Sequence, residues 1–313
     1  MKSVINLASR LLNNRVLRNI NFALIAMMAF FLSACHSGNG ALRPRGPVAA
    51  SELHLIRFAV ELMLIVVIPT IFMAFWFGWR YREKNNRKYT PEWKHSTLLE
   101  VVWWAIPCII IAILATVTWK TTHELDPFKP LSSQEKPVTI EVISLDWKWL
   151  FIYPDYKIAT VNYLCIPTGT PINFKITAAG PMNSFIIPQL AGQIYAMTGM
   201  TTQLHLIADV PGSYRGFGAN YTGVGFAGMT FVAEATSSEK FNSCVKRIQE
   251  NPDRLTPDVF WNQLVPQSTN DPVRYFGSVE PGLFDAVVMS YMMPSMKDNV
   301  APDEHVVMNQ SNH

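Results

Sequence analysis

Two runs without a charged side chain, residues 62–79 and 101–119, limit what this chain can fold into more than any other feature. They hold 18 and 19 residues, and an apolar helix of about 20 residues is what crosses about 30 Å of hydrocarbon. A soluble core could hide one such helix; two in close succession point to a membrane hairpin. Pro69 and Pro107 fall inside the runs, where membrane helices tolerate proline. The stretch between them, 80–99, carries Arg80, Arg82, Lys84, Arg87, Lys88 and Lys94 against Glu83 and Glu92. A short basic loop marks the cytoplasmic side, so both ends of the hairpin face outward. Trp76, Trp79, Trp103, Trp104 and Trp119 cluster near the run ends, as interfacial anchors do. Arg57 and Glu61 stand four apart at the outer entrance of the first run. They are expected to pair there, because a charge at the centre of a span costs ~2.5–3.5 kcal/mol.

The N-terminus has Lys2, Arg10, Arg15 and Arg18, then an apolar run over 22–32 that ends Leu32-Ser33-Ala34-Cys35. A basic start, a short apolar stretch and small residues before a cut describe a secretory signal. The ending resembles a bacterial lipoprotein box, which implies removal of residues 1–34 and lipidation of Cys35; ordinary signal cleavage beside a chance cysteine is the plainer alternative. Residues 35–52 then read as a Gly/Pro-containing tether, 53–120 as the two-helix hairpin, and 121–136 as a linker with Pro127 and Pro130. Charge divides along the chain. Residues 1–120 hold 14 basic and 5 acidic side chains, net +9, and residues 121–313 hold 12 and 18, net −6. An acidic outer domain argues against nucleic acid as a partner, since that needs a basic patch on the folded part. The lipid bilayer is the expected partner of the first half.

From 137 to 236 the pattern changes to short stretches rich in β-branched and aromatic residues. Strands are expected over 138–143, 147–153, 158–164, 172–177, 184–187, 193–197, 203–207 and 229–233, with turns such as Pro167-Thr168-Gly169 and Pro211-Gly212 between them. Many short strands punctuated this way predict a sandwich or barrel. Residues 237–293 turn helical: Ser238 precedes Phe241, Val245 and Ile248, Thr256-Pro257 is a good helix start, and 283–293 is a third run. The polar segment 294–313 is expected to be a disordered tail.

The four cysteines, Cys35, Cys108, Cys165 and Cys244, form no C-x-x-x-C pair. Cys165 and Cys244 could pair in an oxidising compartment, but 79 positions separate them and two small buried thiols are the expectation. Between Glu124 and Glu234 the single histidine is His205, in an alternating run that reads as strand. No nucleophile–base arrangement and no phosphate loop is present.

The segments TWKTTHE (118–124), IEVISLDWKWLFIYP (140–154), QIYAMTGM (193–200) and PMNSFIIPQL (181–190), with the loop GANYTGVGFAGM (218–229), resemble subunit II of haem-copper respiratory oxidases. In copper-bearing members of that family a His-Ser-Phe element and a C-x-E-x-C-x-x-x-H-x-x-M loop hold a two-copper centre. The resemblance places Asn183 at the first His, Gly218 and Thr222 at the two Cys, Asn220 at the Glu and Phe226 at the second His; only Met229 matches. Copper in such a site needs thiolate and imidazole donors, and a lone thioether is a weak ligand. The pattern therefore resembles the quinol-oxidising branch, the cytochrome bo-type ubiquinol oxidases. It implies a membrane α plus all-β fold: a two-helix hairpin, a cupredoxin-like Greek-key barrel over 137–236, and an aromatic-rich helical region over 237–293.

The same resemblance implies a bacterial inner-membrane complex that oxidises ubiquinol, reduces oxygen to water and translocates protons. Its haems and copper would sit in subunit I, and this chain would carry no metal, no redox centre and no catalytic residue. Subunit I and smaller membrane subunits would be its partners. Trp147 and Trp149, an electron-entry patch in copper-bearing relatives, would pack the barrel against partner subunits. Glu100 matches a family carboxylate at the cytoplasmic mouth of a proton path; a solvated acid at a helix N-terminus is the competing reading. Two other functions compete: an electron-carrying subunit II of cytochrome c oxidase, which the missing ligands oppose, and a free membrane lipoprotein that binds a ligand or handles copper, which the match through both runs opposes.

Overall fold

The computed structural model describes residues 40–82, 95–133 and 135–293. The lipoprotein box at Cys35, most of the basic loop and the polar tail lie outside the described residues. Helix α1 spans Pro47–Arg80 and helix α2 spans Thr97–Glu124. Both are long and apolar enough to cross a membrane, with mean hydropathy 2.4 in their most apolar windows and almost no side chain buried. At 1.5 Å per residue they measure about 51 Å and about 42 Å, each longer than the hydrocarbon layer. Near the ends of the spans, Trp76 stacks on Phe72 at 5.8 Å and lies under the Arg80 guanidinium at 5.9 Å.

The first helix starts earlier than the sequence suggests. Pro47, with φ fixed for a first helical position, opens α1 inside the stretch read as a tether. Just before it, the Arg45 amide donates to the Gln189 carbonyl at 2.7 Å and the Asp209 amide donates to the Arg45 carbonyl at 2.8 Å. A Cβ on Gly46 would stand 2.2 Å from the Ile207 carbonyl oxygen, so this backbone lies directly on the β domain. At the other end α2 runs four residues past 120 before Leu125 caps it. Arg57 and Glu61 form no ion pair; both are exposed. Arginine preceding glutamate by four is the weaker order on a helix.

The β domain is a sandwich of two sheets. The larger is built from β1 (Val138–Leu145), β2 (Lys148–Tyr153), β3 (Ile158–Val161), β5 (Ile172–Ala178), β8 (Thr202–Leu206) and β12 (Arg274–Phe276), in the order β12-β3-β2-β1-β5-β8. The smaller holds β4 (Tyr163–Pro167), β6 (Asn183–Ile187), β7 (Ala191–Ala196), β9 (Gly212–Gly218) and β10 (Thr230–Thr236), ordered β4-β10-β9-β6-β7. Pairs β1–β5 and β4–β10 are parallel; the others are antiparallel. The stretch 158–164, expected as one strand, is two. Asn162 adopts φ +56, and its Oδ1 accepts from the Trp149 amide at 2.9 Å. That left-handed residue, tolerated by Asn, turns the chain out of one sheet and into the other.

Between the sheets lies an aromatic core. Phe185 and Phe231 stack at 5.2 Å, and Trp149 meets Phe185 edge-on at 5.2 Å, an arrangement the ring quadrupoles favour. A second core sits on the other face of the larger sheet, where Ile143, Leu150 and Ile152 meet Phe260, Leu264 and Phe284. Of the C-terminal elements, α3 (Ser238–Gln249) packs into the first core; the second is covered by the short α4 (Pro257–Val259) with its continuation Phe260–Leu264, β11 (Arg254–Leu255) paired with β13 (Ser278–Val279), and α5 (Leu283–Met292). Every residue of β2 and β3 is consequently buried, which is why these strands do not alternate.

Candidate functional site

The place where a two-copper centre would form is bounded by the start of β6 and the loop from β9 to β10. Asn183 is buried there. Its Nδ2 donates to the Met229 Sδ at 2.8 Å and its Oδ1 accepts from the Ser184 amide at 2.8 Å. The Ser184 hydroxyl donates to Asn220 Oδ1 at 3.0 Å. Gly218 closes the cluster through its amide, which donates to the Met229 carbonyl at 3.1 Å. A Cβ on Gly218 would stand 2.7 Å from Asn183 Oδ1 and 3.1 Å from Met229 Sδ. The amide of Asn183 thus occupies the space a side chain on Gly218 would need. Phe226 packs against Tyr221 at 5.6 Å.

The donor set does not fit a two-copper centre. Of the six family positions, only Met229 has a soft donor atom, and its sulfur is engaged by an amide. Thiolate and imidazole, the donors such copper needs, are absent from the other five. All six positions are gathered on one end of the sandwich, so the frame is kept and the ligand chemistry is not.

Trp149 departs from the expectation that it packs against other subunits. Trp149 is 0% exposed, inside the aromatic core. Trp147 sits in the β1–β2 turn at φ +62, and its Nε1 donates to the Thr222 carbonyl at 3.3 Å. A Cβ on Gly225 would meet the Trp147 ring at 2.3 Å. The indole therefore lies flat on the loop that copper would otherwise organise.

One buried charge escaped the sequence reading. Lys148 is 1% exposed, and its Nζ lies 3.2 Å from the Asp271 carboxylate, donates to the Pro266 carbonyl at 3.0 Å and also meets the Ser268 hydroxyl. This clamp fastens the 266–271 loop to the turn that carries Trp147. Glu100, in the first turn of α2, lies far along the chain from these groups; its Oε1 is 3.0 Å from His95 Nε2 and its side chain is partly exposed. His205 is buried in β8 and hydrogen-bonds through Nδ1 with the Pro127 carbonyl at 2.9 Å, tying the linker to the sandwich. Among the described residues no group of three or more His, Cys, Asp or Glu side chains could hold a metal ion.

Comparison with known proteins agrees with this geometry. Residues 156–236 match the family described as cytochrome c oxidase subunit II, periplasmic domain, and residues 249–295 match the COX aromatic rich motif. Cytochrome bo(3) ubiquinol oxidase subunit 2 of Pseudomonas aeruginosa is 49% identical over 263 residues, covering 84% of this chain and 79% of that protein. Its counterpart in Pseudomonas putida is 48% identical over 251 residues, 80% of each chain. Ubiquinol oxidase subunit 2 of Acetobacter aceti is 46% identical over 266 residues, covering 84% and 85%. The chain therefore belongs to the ubiquinol oxidase subunit II family, a quinol-oxidising branch of haem-copper oxidase subunit II.

Proposed function

We propose that this chain is the non-redox subunit II of a cytochrome bo-type ubiquinol oxidase in a bacterial inner membrane. The two helices anchor it, the sandwich stands in the periplasm, and the complex oxidises ubiquinol, reduces oxygen to water and translocates protons. Haems, copper and quinol chemistry belong to subunit I, which this chain supports together with smaller membrane subunits. Glu100 stands at the cytoplasmic mouth of a proton path, with His95 as its neighbour. Cys35, lipidated after signal removal, adds a second attachment, and the two spans hold the chain in the membrane without it, because one acyl chain binds only reversibly.

The observation that supports this reading best is the Asn183–Met229 contact over Gly218. It fills with an amide the space that a side chain at residue 218 would need. Copper loading of the purified full-length chain, followed by metal analysis and visible spectroscopy, tests it. The expected result is no two-copper centre and no thiolate-to-copper absorption from this loop. A stoichiometric copper pair would overturn the reading in favour of an electron-carrying subunit. Intact-mass measurement of the membrane-extracted chain checks the lipid on Cys35, and an unmodified residue 35 would refute that part.

A further inference from the structure

A second cluster lies away from the vacated loop, where α3 crosses the edge of the smaller sheet. Helix α3 buries Phe241, Cys244, Val245 and Ile248, a stripe at helical spacing. That stripe brings Cys244 against Cys165 of β4. The two cysteines line one cleft, although 79 positions separate them. Both are free.

Their surroundings differ. Cys165 is 1% exposed, and its backbone is pinned on both sides by the Tyr153 hydroxyl, which accepts from its amide at 2.9 Å and donates to its carbonyl at 3.0 Å. Cys244 is 8% exposed and lines an open cleft of about 300 Å³ together with Cys165, Tyr163, Glu234, Lys240 and Arg247. The Arg247 Nη2 donates to the Cys244 Sγ at 3.8 Å, and the Tyr163 hydroxyl, which donates to the Glu234 carboxylate, lies 3.7 Å from the same sulfur.

We propose that Cys244 and Cys165 form a dithiol that exchanges with small disulfides, Cys244 attacking from the cleft and Cys165 resolving from behind it. The electrostatics agree. The Cys165 thiol, donating to Cys244, lowers the Cys244 pKa against the cost of burial, and the Arg247 guanidinium adds to that lowering. The same hydrogen bond and burial push Cys165 up. The thiolate is the nucleophile in thiol–disulfide exchange, and these opposite shifts favour Cys244 as the attacking sulfur. A recessed sulfur in a cleft of this size suits a small, flexible disulfide.

The chemistry balances in two steps. The Cys244 thiolate attacks one sulfur of the small disulfide; a Cys244–sulfur bond forms, the disulfide breaks, and one thiolate leaves to take a proton from solvent. The Cys165 thiol then loses its proton to solvent, and its sulfur attacks the Cys244 sulfur. The Cys165–Cys244 disulfide forms and the second thiolate leaves. Two protein thiols lose two electrons and two protons, and the small disulfide gains both.

The test uses the full-length chain in the detergent-purified complex, reduced with dithiothreitol, freed of reductant and exposed to oxidised glutathione. Peptide mass spectrometry separates these residues from Cys35 and Cys108. The wild type should lose two hydrogens across Cys165 and Cys244 and reopen in reduced glutathione. Cys165→Ser should stop at a glutathione adduct on Cys244, and Cys244→Ser should form no adduct on Cys165 and no bond. Brief iodoacetamide labelling of the reduced wild type at neutral pH should modify Cys244 at least tenfold faster than Cys165. Equal labelling, no trapped adduct in a folded Cys165→Ser chain, or a bond that reduced glutathione does not reopen would overturn the proposal; the last would make the pair a structural disulfide.

Discussion

Adding a single methyl group at residue 218 tests whether Asn183 has taken over the copper space. Gly218→Ala puts a Cβ 2.7 Å from Asn183 Oδ1, 3.0 Å from Asn183 Nδ2 and 3.1 Å from Met229 Sδ. Overpacking of this kind costs about 1–3 kcal/mol, offset by about 0.4–1 kcal/mol from the stiffer unfolded chain. The net expectation is a loss of about 1–2 kcal/mol. Asn183→Ala alone removes the acceptor for the Ser184 amide and the donor to Met229, costing about 1–3 kcal/mol. In the double variant both amide contacts are gone, and the Met229 thioether is flexible enough to move. Gly218→Ala should then be neutral or slightly stabilising, giving a coupling of about 1–3 kcal/mol between the sites. Thermal unfolding of the full-length chain in mild detergent, followed by near-ultraviolet circular dichroism, reads the cycle. A domain of this size shifts by about 2–4 °C per kcal/mol, so Gly218→Ala should lower Tm by about 2–8 °C and do nothing of the kind beside Asn183→Ala. Equal shifts in both backgrounds would show that Asn183 is not the occupant.

Glu100→Ala should slow steady-state ubiquinol oxidation by the purified complex while haem content and assembly stay normal, and Glu100→Asp should retain more activity; wild-type rates for Glu100→Ala at neutral and alkaline pH would leave only the helix-end role, about 0.3–1 kcal/mol of stability. Asp271→Ala strands the buried Lys148 ammonium and should cost about 3–5 kcal/mol, whereas Lys148→Met should cost less, since Asp271 is 20% exposed and keeps some water; proteolysis of the C-terminal region ranks the two. Cys244 is shifted below the ordinary thiol value near 8.5, so its alkylation should stay fast as pH falls through that value and decline only below it. The groups facing Cys244 are Cys165, Tyr163, Glu234, Lys240, Arg247 and Tyr275; Arg247→Gln, removing a nearby cation, should move the midpoint of a pH–rate titration upward.

The membrane spans were legible because absence of charge over a whole span is a signal no other structure needs. The lost copper ligands were legible for a similar reason, as identities at fixed spacing. Strand β9 was not. Its sequence GSYRGFG reads as loop, yet Gly216 and Gly218 are strand residues that make room for neighbours: a Cβ on Gly216 would stand 2.0 Å from the Phe231 ring. Strands β2 and β3 were legible from their β-branched and aromatic content and not from alternation, because their second faces are covered by residues more than 90 positions further on. The split at Asn162 depends on one left-handed residue, and the meeting of Cys165 with Cys244 depends on where α3 docks. Each is a long-range fact that local pattern does not carry.

Strand β12 fixes an order of events in the making of this protein. It pairs Arg274 with Val161 and Phe276 with Ala159, so the outer edge of β3 is closed by backbone that lies 113 positions later in the chain. Until that segment has been made and has docked, β3 presents unpaired amides and carbonyls beside bare Ile143, Leu150 and Ile152. Open edges of this kind template pairing with other chains, and pairings of such long sequence separation form slowly. A chain truncated before Arg274 would keep that edge open and be sticky rather than merely shorter.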